Sequence, residues 1–321
     1  MIRWGILGCG DVCEVKSGPA FQKSRGSQLV AVMRRDAHRC ADFAARHDVP
    51  FHTTSARELI ENPDVDAVYI ATPPGQHLEL ALAVCAAKKP CYVEKPMARS
   101  FAESAQMLEA FRAANVPLFV AFYRRGLPRF QTVKTLLEHG EIGEISGVSY
   151  RYLSPSEADL DPQNLPWRLR AHDAGAGLFY DLGSHLLDVF DFWFGPLENV
   201  AGLARNRATP QIEVEDSAAM SFEAAGAPGV AQWNFAAHER ADFIEIWGEN
   251  GKISLSCFSG EPVRLQNRRG EQFFEGANPP HVHGPLVQTI CDELNGVGAA
   301  LSTGESALRT MRVMDRVLGR I

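Results

Sequence analysis

Two groups of residues follow apolar runs in the first third of the chain and could do chemistry together. Gly8-Cys9-Gly10 comes directly after Ile2–Leu7, and Glu94-Lys95-Pro96 comes directly after Cys91-Tyr92-Val93. Glycines at the end of a strand expose backbone to a phosphate, and a lysine can exchange a proton. Ligands of open α/β sheets lie outside the carboxyl ends of the strands. The pattern therefore predicts a nicotinamide-dependent enzyme.

The glycine turn has the context that the dinucleotide fingerprint requires, between a predicted strand and a predicted helix. Gly8 permits a tight turn, and Gly10 lets the backbone approach a pyrophosphate. Cys13 replaces the third glycine of the fingerprint and is still small. The alternative is a turn with no ligand. We expect the pyrophosphate to lie against five consecutive residues: Gly8, Cys9, Gly10, Asp11 and Val12.

The residues after the second predicted strand indicate which dinucleotide is bound. An Asp or Glu there would bind the ribose hydroxyls of NAD, whereas arginine accommodates the 2′-phosphate of NADP. The strand ends in Met33-Arg34-Arg35, and Asp36 comes one position late for the usual carboxylate. The sequence thus favours NADP, with Arg34 and Arg35 as its ligands and NAD as the second choice. The alternative is that Arg34 and Arg35 are solvent-exposed basic side chains that bind no ligand.

The loop after the fourth predicted strand is Thr72-Pro73-Pro74-Gly75-Gln76-His77. Such a loop would lie along the nicotinamide half of the cofactor. The prolines fix its backbone, so Thr72, Pro73 and His77 are predicted cofactor contacts together with Glu94 and Lys95. A structural alternative for His77 is a place in the first turn of the next helix.

Asp181, His185 and Asp188 are spaced i, i+4, i+7 in a predicted amphipathic helix from about Gly177 to Phe194. That spacing puts them on one face. Asp181 could then orient the imidazole of His185 or bind a substrate hydroxyl. The alternative is an ordinary pair on a helix surface.

Composition restricts the class of protein. The 321 residues carry a formal net charge of -7, which argues against a nucleic-acid binder because that function needs a concentrated basic surface. We expect neither a secretory signal nor a membrane helix, because the apolar runs are too short for either. Seven cysteines form no Cys-x-x-Cys pair, so we expect no metal site and a reduced, cytoplasmic protein.

Two domains are expected. Residues 1–122 alternate strand and helix signals, which predicts a doubly wound parallel sheet, and Ser55 and Ser100 each begin a capping box. Residues 123–321 read as an α+β domain with an open, mainly antiparallel sheet. Its predicted strands are Gly147–Tyr152, Ala218–Phe222, Val230–Phe235, Phe243–Trp247, Lys252–Ser256 and Val263–Gln266.

Taken together, these motifs resemble the Gfo/Idh/MocA oxidoreductase family over essentially the whole chain. The likeness rests on Gly8-x-Gly10, Thr72-Pro73-Pro74-x-x-His77, Glu94-Lys95-Pro96 and Asp181-x-x-x-His185. Trp167-Arg168 and Gly175-Ala176-Gly177 also match, although Ala176 replaces a glycine of the family pattern.

The resemblance implies a Rossmann domain followed by an α+β domain whose open sheet face often forms a dimer interface. It implies that Lys95 and His185 act as an acid/base pair during hydride transfer, and that Asp181 orients the imidazole or binds a substrate hydroxyl. Four residues would lie near the substrate: Tyr123, Arg124, Trp167 and Arg168.

The function expected on these grounds is oxidation or reduction of a sugar, a polyol or a related hydroxy or keto compound by a homodimer or homotetramer. Specificity should reside in the Ser154–His172 loop and on the open sheet face. Two alternatives are an NAD-dependent glycoside hydrolase that oxidises its sugar transiently and a non-catalytic nucleotide-binding regulator. The presence of Lys95, Asp181 and His185 together argues against the regulator.

Overall fold

The computed structural model describes residues 1–156, 164–208 and 212–321. The chain forms two compact units. The first contains residues 1–126 and 279–308, and the second contains residues 127–278 and 309–321. The segment 279–308 thus belongs with the N-terminal residues, and the division falls within the last helix.

The first unit is built on a six-stranded parallel sheet, which confirms the predicted Rossmann fold. The strand order is β3-β2-β1-β4-β5-β6, so the order reverses at β1, which pairs with β2 on one side and β4 on the other. Ligands of such sheets lie beside this reversal, at the carboxyl ends of the strands. The strands are β1 (Ile2–Leu7), β2 (Ser27–Met33), β3 (Phe51–Thr53), β4 (Ala67–Ile70), β5 (Cys91–Val93) and β6 (Leu118–Val120).

The helices of the first unit begin largely where the sequence predicted. Ser55 and Ser100 accept hydrogen bonds from the amides of Glu58 and Glu103, so both predicted caps are confirmed. The helices are α1 (Asp11–Val15), α2 (Gly18–Lys23), α3 (Ala37–Arg46), α4 (Ala56–Glu61), α5 (His77–Ala86), α6 (Phe101–Ala114) and α10 (Gly284–Leu294), with α11 (Gly304–Val317) divided between the units.

The single helix predicted after the glycine turn is wrong, because α1 and α2 are separate. Pro19 cannot donate a backbone hydrogen bond and clashes with the preceding turn, so it is tolerated only at the start of a helix. It occupies that place in α2. Gly18 also packs directly on α1, since a Cβ there would lie 2.2 Å from the Cys13 carbonyl oxygen.

Aromatic rings fill the core of the first unit. Trp4, Phe21, Tyr69 and Tyr92 are fully buried, and ring centroids in this group lie as close as 4.9 Å. Helix α10 adds apolar side chains to the same core, among them Ile290. This packing explains why the segment 279–308 belongs to the first unit.

The second unit is built on an eight-stranded sheet in the order β14-β13-β12-β11-β7-β10-β9-β8. All neighbours are antiparallel except β7 and β10, which run parallel. This confirms the predicted mainly antiparallel sheet, to which it adds the outer strands β8 and β14. The strands are β7 (Ile145–Leu153), β8 (Glu198–Arg205), β9 (Ser217–Ala224), β10 (Ala227–Asn234), β11 (Ala241–Gly248), β12 (Gly251–Leu255), β13 (Val263–Asn267) and β14 (Gly270–Phe274).

Among the described residues, helices of this unit cover one face of the sheet. The helices are α7 (Pro128–Glu138), α8 (Ala171–Ala174) and α9 (Ser184–Phe194). Phe190 of α9 packs on Phe222 of β9, with ring centroids 5.6 Å apart. The opposite face carries exposed apolar side chains: Leu203, Val230 and Phe243 are 52%, 58% and 43% exposed.

Across the described ranges, none of the helices combines the length and apolar character needed to cross a membrane. All seven cysteines are free thiols with buried side chains.

Candidate active site

The turn after β1 needs glycine at position 8 for two reasons. Gly8 has a φ of +89°, a conformation that L side chains rarely adopt. A Cβ there would also lie 2.8 Å from Cγ2 of Thr72. Gly8 therefore brings the end of β1 against the loop that follows β4.

Gly10 is glycine for a different reason. Its φ of -103° suits any residue, and a Cβ there would meet only the Gly8 carbonyl oxygen, at 3.9 Å. Neither backbone strain nor packing within the protein requires glycine at this position. The open space beside the backbone fits a phosphate group that approaches closely. The residues of this turn thus fit a dinucleotide.

The other residues of the turn have distinct surroundings. The side chain of Cys9 is fully buried, so only its backbone can face a ligand, and burial raises the pKa of its thiol to about 12. Asp11 is exposed and Val12 is half-buried at the start of α1. Cys13 is also buried, with its sulfur 3.9 Å from the Gly8 carbonyl oxygen, so it packs where the fingerprint has its third glycine.

The residues after β2 divide into an arginine pair and a capping carboxylate. Arg34 is half-buried, and its Nη1 donates a hydrogen bond to the Cys9 carbonyl oxygen at 3.1 Å. Arg35 is exposed. The Asp36 carboxylate accepts a hydrogen bond from the Arg39 amide and caps α3, which lowers the pKa of Asp36. The nearest carboxylate is thus engaged in capping a helix.

The loop after β4 is tied to the loop after β5 by His77. Nε2 of this ring lies 2.8 Å from the Thr72 carbonyl oxygen, and Nδ1 lies 3.1 Å from that of Pro96. The ring is fully buried, and burial lowers its pKa. Pro73 is half-buried at the start of this loop. His77 therefore connects backbone segments and presents no free ring edge to a cofactor.

Glu94 is a buried carboxylate directly after β5. It is 8% exposed, and burial raises the pKa of its carboxyl group, while the Tyr69 hydroxyl opposes that rise. Tyr69 donates to Oε1 at 2.5 Å, and the Lys95 amide donates to Oε2 at 3.1 Å. Lys95 itself is half-buried at the carboxyl edge of the sheet.

The structure adds a residue that sequence reasoning missed. His283, which precedes α10, lies with Nε2 3.6 Å from Oε1 of Glu94. Its ring stacks on Tyr123, with centroids 4.7 Å apart. Arg124 is buried and donates to the Tyr123 hydroxyl at 3.0 Å. The pair His281-x-His283 was the only signal available in the sequence, and its spacing alone indicates no function.

Asp181 and His185 lie in the second unit, in the continuous helical segment predicted for them, whose first turn is π-helical. Phe179–Gly183 forms a π-helical turn, and α9 begins only at Ser184. A π-turn inserts an extra residue and frequently marks a functional site. It reaches α9 without a break, because the backbone stays helical through Gly183 and Ser184.

The imidazole of His185 is 5% exposed and faces an aromatic ring. Its centroid lies 6.0 Å from that of Phe258, edge to face. The backbone of Phe258 is held by Asp242, whose carboxylate accepts hydrogen bonds from the Cys257 and Phe258 amides at 3.1 and 2.6 Å. A fixed turn thus packs against His185.

The remaining predicted substrate residues also lie in the second unit. Trp167 is half-buried and Arg168 is exposed in a short 3₁₀ turn, Trp167–Leu169. Nearby, the Gly177 amide donates to both carboxylate oxygens of Glu215, at 2.9 and 3.0 Å. Residues 157–163 of the predicted specificity loop lie outside the described residues. In the described parts of the chain, no three His, Cys, Asp or Glu side chains are grouped to hold a metal.

Comparison with known proteins places both halves of the chain in one family. Residues 2–122 match the oxidoreductase family with an NAD-binding Rossmann fold, and residues 130–254 match the GFO/IDH/MocA C-terminal domain. Oxidoreductase P35 of Formosa agariphila is 36% identical over 320 residues, which cover 99% of this chain and 98% of that protein. The 1,5-anhydro-D-fructose reductase of Ensifer adhaerens is 27% identical over 318 residues, covering 96% and 92%.

A solved structure has the same fold. Levoglucosan dehydrogenase, in complex with NADH and levoglucosan, superposes with a TM-score of 0.87 at 23% identity, covering 99% of this chain and 96% of that one. With family matches on both halves and a full-length relative at 36% identity, the chain belongs to the Gfo/Idh/MocA family of NAD-binding oxidoreductases.

Proposed function

We propose that this protein is an NADP-dependent dehydrogenase or reductase that interconverts an alcohol and a carbonyl group of a sugar or polyol. One observation carries the proposal. Gly8, Thr72 and Lys95 follow β1, β4 and β5, which are neighbours in one parallel sheet, so a phosphate-binding turn and a basic side chain share its carboxyl edge.

In this proposal, the backbone of Gly8–Val12 holds the pyrophosphate, and Thr72 and Pro73 border the nicotinamide. The nicotinamide supplies a hydride acceptor or donor. His77 and Glu94 act indirectly, because their polar atoms already contact neighbouring residues of the protein. Residues 1–122 would thus bind the cofactor, while residues 123–321 would bind the substrate and form the oligomer.

The chain's own chemistry is proton transfer. When an alcohol loses a hydride its hydroxyl proton must also leave, so a base must lie within hydrogen-bond reach of that oxygen. We assign this task to Lys95 and His185 together. Asp181 would orient the imidazole or hold a second hydroxyl. Tyr123, Arg124, Trp167 and Arg168 would bind the rest of the substrate.

The substrate class is proposed from the relatives. One relative is named a reductase of 1,5-anhydro-D-fructose, and a structural neighbour was solved with levoglucosan. Both compounds are anhydro sugars with several hydroxyl groups. A sugar or polyol therefore suits a site with arginine, aspartate and histidine side chains, which can bind hydroxyl groups.

Preference for NADP is proposed from the residues after β2. Asp36 caps α3, and Arg34 and Arg35 come before it, so cationic rather than anionic groups are offered to the adenosine ribose.

We also propose a homodimer, or a tetramer built from dimers, with the open sheet face buried. That face contains a groove of about 930 Å³ whose lining includes Leu203, Val230 and Phe243. Burying exposed apolar side chains of this kind favours association. Seven free cysteines are consistent with a cytoplasmic location, which we propose as well.

The test is a substrate screen. The protein is incubated with NADP or NAD and a panel of aldoses, anhydro sugars, polyols and inositols, and reduced cofactor is measured by its absorbance. Ketones and the reduced cofactors test the reverse direction. We expect accumulation of NADPH with at least one sugar or polyol. No turnover of any compound of the panel, in either direction and with either cofactor, would overturn the proposal.

A further inference from the structure

His283 contacts the Glu94 side chain, although the two residues are distant in sequence. We propose that His283 is a positioning residue for the reaction: together with Tyr69 it fixes the Glu94 carboxylate, and through that carboxylate it fixes the backbone that carries Lys95. The inference rests on the proposed function, because it takes Lys95 as the group that exchanges the substrate proton.

Protein groups enclose the Glu94 carboxylate. Tyr69 donates to Oε1 and the Lys95 amide to Oε2, at 2.5 and 3.1 Å, and Nε2 of His283 lies 3.6 Å from Oε1. The carboxylate is nearly inaccessible to water. Tyr69 and the Lys95 amide therefore replace water as hydrogen-bond donors, and His283 lies beside Oε1 just beyond hydrogen-bond distance, so loss of any of these groups would leave a buried carboxylate under-solvated.

Neighbouring groups determine which ring nitrogen of His283 carries the proton. Nδ1 of His283 lies 3.1 Å from the Tyr92 hydroxyl, which can donate to it. The carboxylate of Glu94 only accepts, so we place the ring proton on Nε2. Burial lowers the pKa of His283 to about 3, with a further contribution from the charges of Lys16 and Lys95, so the ring is neutral around pH 7.

The His283 ring is held on several sides. Tyr123 stacks on one face with an angle of 28° between the planes, and the His283 amide donates to the Lys16 carbonyl oxygen at 3.3 Å. The side chain is 1% exposed. An imidazole held at its face, at Nδ1 and at its backbone can hold the carboxylate in one place. Displacement of a reacting group by about 1 Å can cost about 10²-fold in rate.

Two substitutions separate this role from simple packing. In His283→Gln the side-chain amide can place an N–H where Nε2 faces Glu94. In His283→Asn the shorter amide reaches the position of Nδ1, which faces Tyr92. We expect kcat within about 3-fold of the unmodified protein for Gln and a loss of about 10- to 100-fold for Asn. The Kd for NADPH should stay within about 3-fold in both.

Equal kcat for the two variants would overturn the inference, because a packing role does not depend on which ring position is replaced. Lys95→Ala is measured in parallel, alone and combined with His283→Asn. If His283 acts through Lys95, the Asn substitution should cost little in the Lys95→Ala background, since residues of one unit are not additive. Full turnover by Lys95→Ala alone would instead overturn the proposed function.

If both His283 variants fail to fold, as judged by circular dichroism, Tyr69→Phe decides the question. This change removes the hydroxyl on Oε1 of Glu94 and keeps the ring in the core. We expect kcat to fall at least 10-fold with the substrate KM and the Kd for NADPH nearly unchanged. Unaltered kcat in folded Tyr69→Phe would overturn the inference.

Discussion

The guanidinium of Arg34 donates a hydrogen bond to the carbonyl oxygen of Cys9, 3.1 Å away, and so joins the end of β2 to the glycine turn after β1. This contact places a cation beside the proposed cofactor site, where Asp36 is already engaged in capping α3. The relationship leads to a prediction about cofactor choice.

We predict that NADPH binds more tightly than NADH, and that Arg34→Ala with Arg35→Ala removes most of the difference. A hydrogen bond to a charged group contributes about 1.5–3 kcal/mol, or roughly 10- to 150-fold in Kd. Fluorescence titration with NADPH and with NADH measures the two Kd values. Arg57→Ala, an exposed arginine paired with Glu61, is the control. Equal affinities for the two nucleotides in the unmodified protein would contradict the assignment.

The two glycines of the turn should respond differently to alanine. Gly10→Ala should leave the melting temperature nearly unchanged, because a Cβ fits there, and should weaken NADPH binding at least 10-fold by blocking the phosphate. Gly8→Ala should lower stability by about 1–2 kcal/mol from its positive φ alone, with more from the Thr72 contact. Thermal melts and titrations compare them. Unimpaired NADPH binding by Gly10→Ala would place the cofactor elsewhere.

Glu14 should make stability depend on pH. Arg46 donates to both of its carboxylate oxygens at 2.8 Å, which with a contact from His47 lowers the pKa of Glu14 to about 2 from 4.5. The folded state then binds fewer protons than the unfolded state between these values, so stability is lost as pH falls from about 4.5 towards 2.

We therefore expect Glu14→Gln to lower the free energy of unfolding at pH 7 by about 0.5–1 kcal/mol, because the ion pair is partly exposed. The difference from the unmodified protein should shrink as pH falls below 4.5. Urea unfolding at pH 7, 5 and 3 measures it, with Glu61→Gln as a control on an exposed pair. A difference that stays constant down to pH 3 would count against the assigned pKa.

The open sheet face should be an interface between copies of the chain. Val230 is 58% exposed in the middle of this face, and a charge there should weaken self-association. We expect Val230→Glu to shift the mass measured by light scattering at micromolar concentration from dimer or tetramer towards monomer. Val297→Glu, at a 75% exposed position of the first unit, should have no effect. A monomeric unmodified protein would contradict the proposal.

Local signals in the sequence predicted much of the fold. Ser55 and Ser100 act as caps because their hydroxyls satisfy amides that a helix leaves unpaired, and this depends only on nearby residues. Contacts between distant segments were not predicted. Nothing in His281-x-His283 indicates that its second histidine faces Glu94, since that contact follows from the packing of α10 in the first unit.

The π-turn around Asp181 could not be predicted from the sequence for a different reason. Its apolar spacing fits an α-helix and a π-turn about equally well over five residues, so periodicity could not distinguish them. Strands β8 and β14 were missed because they lie at the two edges of their sheet and their side chains are largely exposed, so neither shows the alternation that predicts a strand. The form of each of these elements depends on contacts with distant parts of the chain, which a local sequence pattern does not contain.

Turnover by Lys95→Met most directly tests whether Lys95 transfers the substrate proton in an NADP-dependent oxidation. Methionine keeps an unbranched apolar stem close in length to that of lysine but cannot carry the proton. With the best sugar or polyol from the screen, kcat should fall by about 10²- to 10⁴-fold, the usual contribution of one acid/base group, while the Kd for NADPH stays within about 3-fold. Turnover by Lys95→Met equal to that of the unmodified protein would contradict the account.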